Sequence, residues 1–123
     1  DTNIRRIAFV ADLLSRNGVP VITAAISPYR ELRDEARGVM GERFIEIFVK
    51  ASVEVCAERD VKGLYEKAFK GEIKEFTGVS DPYEPPLDPE LTLDTEHQSP
   101  EESAGKILTL LEERQLIPAA QPA

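Results

Sequence analysis

The run VPVITAAIS at positions 19–27 is nearly all apolar, and its last residue is followed directly by a proline. A run of this kind between helical patterns is typical of a strand that is buried on both faces of a parallel sheet. Such a strand is stable only where neighbouring strands pair with its backbone and helices cover its faces. The run therefore predicts an α/β fold built on a parallel sheet.

Helical patterns lie on both sides of this run. Before it, apolar residues recur at helical spacing up to the stop signal Asn17-Gly18. After it, Ser27 has the position of an N-cap and Pro28 that of the first helical residue, so a second helix is expected to run to Gly38. The stripe expected to be buried on the first helix consists of Ile4, Ile7, Ala8, Ala11 and Leu14.

The rest of the chain continues the alternation of strands and helices. A second strand is predicted at 44–50 and a short third strand at 91–93. Between these strands, short helices are predicted at 52–60 and 62–70, followed by a loop at 71–90. A capping box then begins the last helix, whose predicted cap and buried stripe comprise Ser99 with Glu102, and Ala104, Ile107, Leu108 and Leu111.

This order of elements predicts a right-handed parallel α/β sheet with helices on both faces. Ligands of such sheets bind beyond the carboxyl ends of the strands, where Ser27 and Asp94-Thr95 lie. Only three strands can be identified, which is few for this class, and the chain begins inside a helix. We therefore expect that an N-terminal part of the fold is missing from the sequence.

Composition and charge exclude several classes of function. The 123 residues, 41% hydrophobic and 31% charged, have the length and balance of one globular domain. The formal charge of -8 disfavours nucleic acid as a partner, and no apolar run is long enough to cross a membrane. Because Cys56 and His97 are the only cysteine and histidine, an internal disulfide and a Cys/His zinc site contributed by this chain alone are excluded. The single cysteine is consistent with a cytoplasmic protein.

Four stretches spread over nearly the whole chain carry a family resemblance: TNIRRIAFVADLL, ITAAISPYRELRDEAR, VEVCAERDVKGLYEKAFKGEIKEFTGVSDPYE and PELTLDT. Together they resemble adenylylsulfate kinase, and the set KGLY, GEIK and FTG at this spacing is the most specific part. The resemblance implies a three-layer P-loop nucleotide-kinase-like fold. It also implies a cytoplasmic transferase of sulfate assimilation that forms a homodimer.

The implied activity is ATP-dependent phosphorylation of the 3'-hydroxyl of adenosine 5'-phosphosulfate, with ATP and Mg²⁺ as cofactors. The product would be 3'-phosphoadenylylsulfate. By the same resemblance, the adenylylsulfate site comprises Asn3, Ile26, Ser27, Lys62, Glu75 and Phe76, with the Phe76 ring stacked on the adenine. The positions that border the base of ATP are Arg59, Thr95 and Gln98.

The sequence also departs from the family. It contains no GxxxxGK[ST] loop and no acidic DGDN-type segment, so the base and the P-loop lysine are expected upstream of Asp1. No catalytic or metal-binding residue is therefore assigned, and this chain alone is expected to be inactive. We interpret 1–118 as the C-terminal two-thirds of a kinase domain and 119–123 as a tail or linker. Glu75 stands where the family usually has glycine.

Alternative functions stay open. The chain could belong to a bifunctional protein that also carries ATP sulfurylase. It could instead be a non-catalytic nucleotide-binding or regulatory module without a P-loop. Another small-molecule P-loop kinase is the third alternative, and the set KGLY, GEIK and FTG disfavours it.

Several of these residues also have a purely structural interpretation. Phe76 could hold its loop on the core, although stacking on a base requires a ring face that is not already buried. Ser27 could cap a helix and still lie at an anion site, since a helix N-terminus attracts anions. Arg5 and Arg6 could form surface ion pairs or contact the phosphosulfate. The loop 71–90, rich in glycine and proline, has the length of a lid.

Overall fold

The computed structural model describes residues 2–59, 63–71 and 82–118. These residues form two units, one of 2–45 with 82–87 and one of 46–59, 63–71 and 88–118. No helix in the described parts of the chain is long and apolar enough to span a bilayer. The elements are α1 (Thr2–Arg16), α2 (Arg30–Met40), a 3₁₀ turn (Gly41–Arg43), β1 (Ile47–Lys50), α3 (Val53–Arg59), α4 (Leu64–Phe69), β2 (Leu91–Asp94) and α5 (Pro100–Glu113).

The first unit is built on the pair α1 and α2. Their buried residues are Ala11, Leu32 and Ala36, and the two helices pack against each other. Helix α1 ends where the sequence predicts, because Gly18 takes a φ of +81° that other residues rarely adopt. The helical prediction for this segment is confirmed, but Leu14 of the expected buried stripe is 38% exposed.

The predicted strand at 19–27 is not formed. Residues 19–29 have no regular secondary structure, and Ile22 and Ile26 are 95% and 69% exposed. A strand needs partners for its backbone N–H and C=O groups, and the only sheet among the described residues pairs β1 with β2. An apolar run is buried as a strand only where a neighbouring strand pairs with its backbone.

Helix α2 also begins later than predicted. Its N-cap is Tyr29, whose side chain makes no cap hydrogen bond, and Ser27 and Pro28 lie outside the helix. The helix passes through Gly38 and ends at Met40, and its C-cap Gly41 has a φ of +59°. The prediction that Ser27 caps this helix is therefore wrong.

The second unit contains a parallel pair of strands. β1 and β2 are in register from Ile47 opposite Leu91 to Lys50 opposite Asp94, as parallel strands joined by a helical connection should be. Leu93 is only 3% exposed, and helix α5 packs against its strand. The parallel arrangement is confirmed, with β1 shorter than the predicted 44–50.

Helix α5 begins at the predicted capping box. Ser99 Oγ accepts a hydrogen bond from the Glu102 N–H at 3.1 Å, and Glu102 Oε1 accepts one from the Ser99 N–H at 3.2 Å. The buried face differs from the predicted stripe, because Ser103 is buried while Ala104 is exposed and Leu108 is 51% exposed. Apolar spacing locates a helical stripe, but only the packing partner decides which edge of it is covered.

Candidate functional site

The carboxyl end of β2 leads into a polar turn that contacts the carboxyl end of β1 in the second unit. Thr95, directly after β2, donates from both its N–H and its Oγ1 to the Lys50 carbonyl oxygen, at 3.1 and 2.8 Å. These two bonds join the start of the turn to the last residue of β1. This edge of a parallel sheet is where ligands of α/β proteins commonly bind.

Arg59 and Thr95, both predicted to border ATP, are in direct contact. Arg59 is the last residue of α3, and its Nη2 donates to the Thr95 carbonyl oxygen at 2.7 Å. Gln98 lies three residues further along the chain, and its Oε1 is buried with no hydrogen-bond partner in the described part of the chain. An unpaired buried acceptor is costly, so a ligand N–H donor would stabilise this position.

Charged side chains hold this turn: the sequence places Asp94 at the strand end, but it predicts no role for Glu96 or His97. His97 Nδ1 lies 2.8 Å from Asp94 Oδ2, and Glu96 Oε1 accepts a hydrogen bond from the Ser52 N–H at 2.8 Å. The hydrogen bond to His97 lowers the pKa of Asp94, and the hydrogen bonds from Ser52 lower the pKa of Glu96. Ser52 is a sequence feature that could have pointed to this turn, because its Oγ caps α3 by accepting a hydrogen bond from the Val55 N–H.

These side chains could also offer ligand atoms to a cation. One atom each of Asp94, Glu96 and His97 lies within 4.8 Å of the others. Glu96 and His97 are exposed, and hydrogen bonds to Ser52 and within the turn already occupy the carboxylates. The arrangement is explained by its role in fastening the turn to β1 and α3.

We expect Glu96→Gln to reduce the acid sensitivity of this unit. The folded protein lowers the pKa of Glu96 below its ordinary value of 4.5, so the carboxylate stabilises the fold above that pH. Its contribution is lost as the pH falls through the lowered folded value. Urea midpoints measured from about pH 6 to about pH 3 should therefore fall less steeply in Glu96→Gln than in the parent. Glu113→Gln, at an exposed site on α5, is the control, and equal slopes for Glu96→Gln and the parent would contradict the prediction.

Asn3, Ile26 and Ser27, predicted for the adenylylsulfate site, lie in the first unit. Asn3 is exposed on the first turn of α1, and Ile26 is mostly exposed in the irregular segment before α2. Ser27 Oγ is buried and has no hydrogen-bond partner in the described residues. Among the described residues, a buried polar atom without a partner is thus present at Ser27 in this unit and at Gln98 in the other.

The backbone next to Ser27 is held by a distant segment. The Ser27 carbonyl oxygen accepts a hydrogen bond from Arg33 Nη1, and the Pro28 carbonyl oxygen accepts one from the Glu84 N–H at 2.8 Å. Glu84 Oε1 in turn accepts a hydrogen bond from the Arg30 N–H, at 2.9 Å. Glu84 therefore supplies the cap that was predicted for Ser27.

Other predicted residues are not brought into the site or are not described. Arg5 forms a surface ion pair with Glu35 at 3.4 Å. Lys62, Glu75 and Phe76 lie outside the described residues, as does most of the first half of the predicted lid.

Comparisons with known proteins agree on one family. The family model described as adenylylsulphate kinase matches residues 1–94. The adenylyl-sulfate kinase of Rippkaea orientalis is 63% identical over 113 residues, which are 92% of this chain and 62% of that protein. The probable bifunctional SAT/APS kinase 2 of Sorangium cellulosum is 53% identical over 118 residues, which are 96% of this chain and 20% of that protein.

A solved structure gives the same result. The APS kinase of Mycobacterium tuberculosis, in complex with AMPPNP and APS, superposes with a TM-score of 0.84 at 42% identity. The superposition covers 90% of this chain and 65% of that one. The chain thus spans slightly less than two thirds of the length of this relative and of the Rippkaea protein.

Proposed function

The chain belongs to the adenylylsulfate kinase family, and from this we propose that the protein transfers the γ-phosphoryl group of ATP to adenosine 5'-phosphosulfate. The 3'-oxygen forms a bond to the γ-phosphorus while the bond to the β,γ-bridging oxygen breaks. ADP leaves, the hydroxyl proton is released, and 3'-phosphoadenylylsulfate is formed. The observation that carries this proposal is the likeness to an APS kinase solved with AMPPNP and APS.

The residues of the second unit suit the base of ATP. Gln98 Oε1 is a buried acceptor without a partner in the described residues, and the exocyclic amine of adenine is a donor. Arg59 is fastened to the backbone of Thr95, which would keep its guanidinium plane in one place beside a bound base. We assign Arg59, Thr95 and Gln98 to this nucleotide.

The residues of the first unit suit the acceptor nucleotide. Ser27 Oγ can both donate and accept a hydrogen bond and has no partner in the described part of the protein. We assign Asn3, Ile26 and Ser27 to adenylylsulfate, and on the family resemblance we add Lys62, Glu75 and Phe76. Residues 71–90 are proposed to act as a lid that excludes water from the reaction.

Phosphoryl transfer depends on neutralising the charge of the phosphates. Mg²⁺ bound to ATP would supply part of that neutralisation, and a P-loop lysine would supply more. No GxxxxGK[ST] loop occurs in the sequence, so we expect turnover in a protein of the relatives' full length rather than in this chain alone. None of the described residues is assigned to the metal.

We further propose that β1 and β2 belong to a larger three-layer sheet with helices on both faces. Ile22 and Ile26 are largely exposed, and Val49 on β1 is 63% exposed, although all three lie in apolar runs. Large apolar side chains in predicted strands normally face other elements. We also propose that the protein is a cytoplasmic homodimer. The name of the Sorangium relative, a probable bifunctional SAT/APS kinase, leads us to propose a SAT domain in the same protein.

The proposal is tested by assaying the full-length protein that carries this sequence. With ATP, Mg²⁺ and adenylylsulfate we expect 3'-phosphoadenylylsulfate and ADP in equal amounts, and with the chain 1–123 alone we expect no product. Adenosine 5'-monophosphate in place of adenylylsulfate is the control acceptor. Binding of both nucleotides without any product would support the non-catalytic alternative and overturn the kinase.

A further inference from the structure

Within the first unit, residues 82–87 are anchored to the segment that precedes α2. The Glu84 N–H donates to the Pro28 carbonyl oxygen at 2.8 Å, and Arg30 Nε donates to the Pro85 carbonyl oxygen at 2.6 Å. Glu84 Oε1 in turn accepts a hydrogen bond from the Arg30 N–H. Two segments far apart in sequence are thereby joined through both backbone and side-chain atoms.

Arg33 completes this junction from the second turn of α2. Its Nη1 donates to the Ser27 carbonyl oxygen and its Nη2 to the Glu84 carbonyl oxygen, so one guanidinium bridges the two segments. The same guanidinium lies 5.6 Å from the centre of the Tyr83 ring. A planar fork with several donors can make both hydrogen bonds at once, and an ammonium group cannot reproduce that geometry.

The junction also replaces a missing helix cap. The N-cap Tyr29 gives no side-chain hydrogen bond to α2, so the first amides of the helix depend on another acceptor. The Glu84 carboxylate accepts the Arg30 N–H and places a negative charge at the positive end of the helix. Removing the carboxylate would leave this N–H without its acceptor and free the chain around Ser27 to move.

We propose that Glu84, Arg30 and Arg33 are positioning residues that hold Ser27 in the geometry required by the acceptor nucleotide. The inference rests on the proposed function, in which Ser27 binds adenylylsulfate. Arg33 fixes the Ser27 carbonyl while Ser27 Oγ keeps its hydrogen-bonding capacity. The junction therefore acts on the acceptor side, and the residues assigned to ATP lie in the other unit.

The test compares variants of Glu84 in the full-length protein. Because Glu84→Ala removes a charge-assisted hydrogen bond, we expect the KM for adenylylsulfate to rise about tenfold while the KM for ATP stays within about twofold. Glu84→Gln keeps an oxygen acceptor and should restore most of the affinity. Glu42→Ala, at an exposed site of the same unit, is the matched control.

A second variant keeps the inference testable if Glu84→Ala does not fold. Arg33→Lys keeps the charge and loses the fork, and it should also raise the KM for adenylylsulfate selectively. A general loss of stability would change both KM values or the melting temperature without this selectivity. If the parent phosphorylates adenylylsulfate and neither variant changes that KM, the positioning role is wrong. A parent that does not use adenylylsulfate would overturn the proposed function and with it the acceptor that this role requires.

Discussion

Phe76→Ala is expected to weaken the binding of adenylylsulfate by about 5- to 150-fold in the full-length protein. Stacking of a base on an aromatic side chain contributes about 1 to 3 kcal/mol, and alanine removes the whole ring face. Phe76 follows Lys74-Glu75 and precedes Thr77-Gly78, and by resemblance its ring stacks on the adenine. Calorimetric titration with adenylylsulfate measures the change directly.

Two further variants make that experiment specific. Phe76→Tyr keeps the ring and should keep most of the affinity. Phe69→Ala removes another phenylalanine, 61% exposed at the end of α4, and should leave binding unchanged. Equal affinities for Phe76→Ala and the parent would remove Phe76 from the adenylylsulfate site.

Leu93→Ala is expected to lower the free energy of unfolding by about 2 to 5 kcal/mol. Leu93 is 3% exposed in β2, between β1 and α5, and truncation would leave a cavity that neighbouring strands can fill only partly. The loss would be large compared with the few kcal/mol that stabilise most domains. Urea unfolding of the full-length protein, followed by circular dichroism, gives the difference.

Leu108→Ala is the matched control for Leu93→Ala. The apolar stripe of α5 predicts that Leu108 is buried, whereas in the structure it is 51% exposed. We therefore expect a cost below about 1.5 kcal/mol, in proportion to the smaller area removed from water. If Leu108→Ala cost as much as Leu93→Ala, the observed orientation of α5 would be contradicted.

Features whose causes lie within a few residues could be predicted from the sequence. The end of α1 at Gly18 follows from a backbone angle that glycine tolerates, and the start of α5 follows from Ser99 and Glu102. The parallel pairing of β1 with β2 follows from the helices between them. The family resemblance assigns Arg59 and Thr95 to the same site, but no local sequence pattern predicts the hydrogen bond between them.

Features that depend on a distant partner could not be predicted. The apolar run at 19–27 predicts a strand, yet no described segment pairs with it, and Ile22 remains exposed. Ser27 and Pro28 have the local form of a helix start, yet the amide of Arg30 is capped by Glu84.

The sequence by itself determined where α1 ends and α5 begins, which segments can be helices, and to which family they belong. It did so because backbone angles, capping hydrogen bonds and apolar spacing are local properties that residue type controls. The tertiary structure alone decided which apolar face is covered, which acceptor completes α2, and that Arg33 holds the carbonyl of Ser27. Those outcomes depend on contacts between residues that lie far apart along the chain, and local sequence patterns do not predict such contacts.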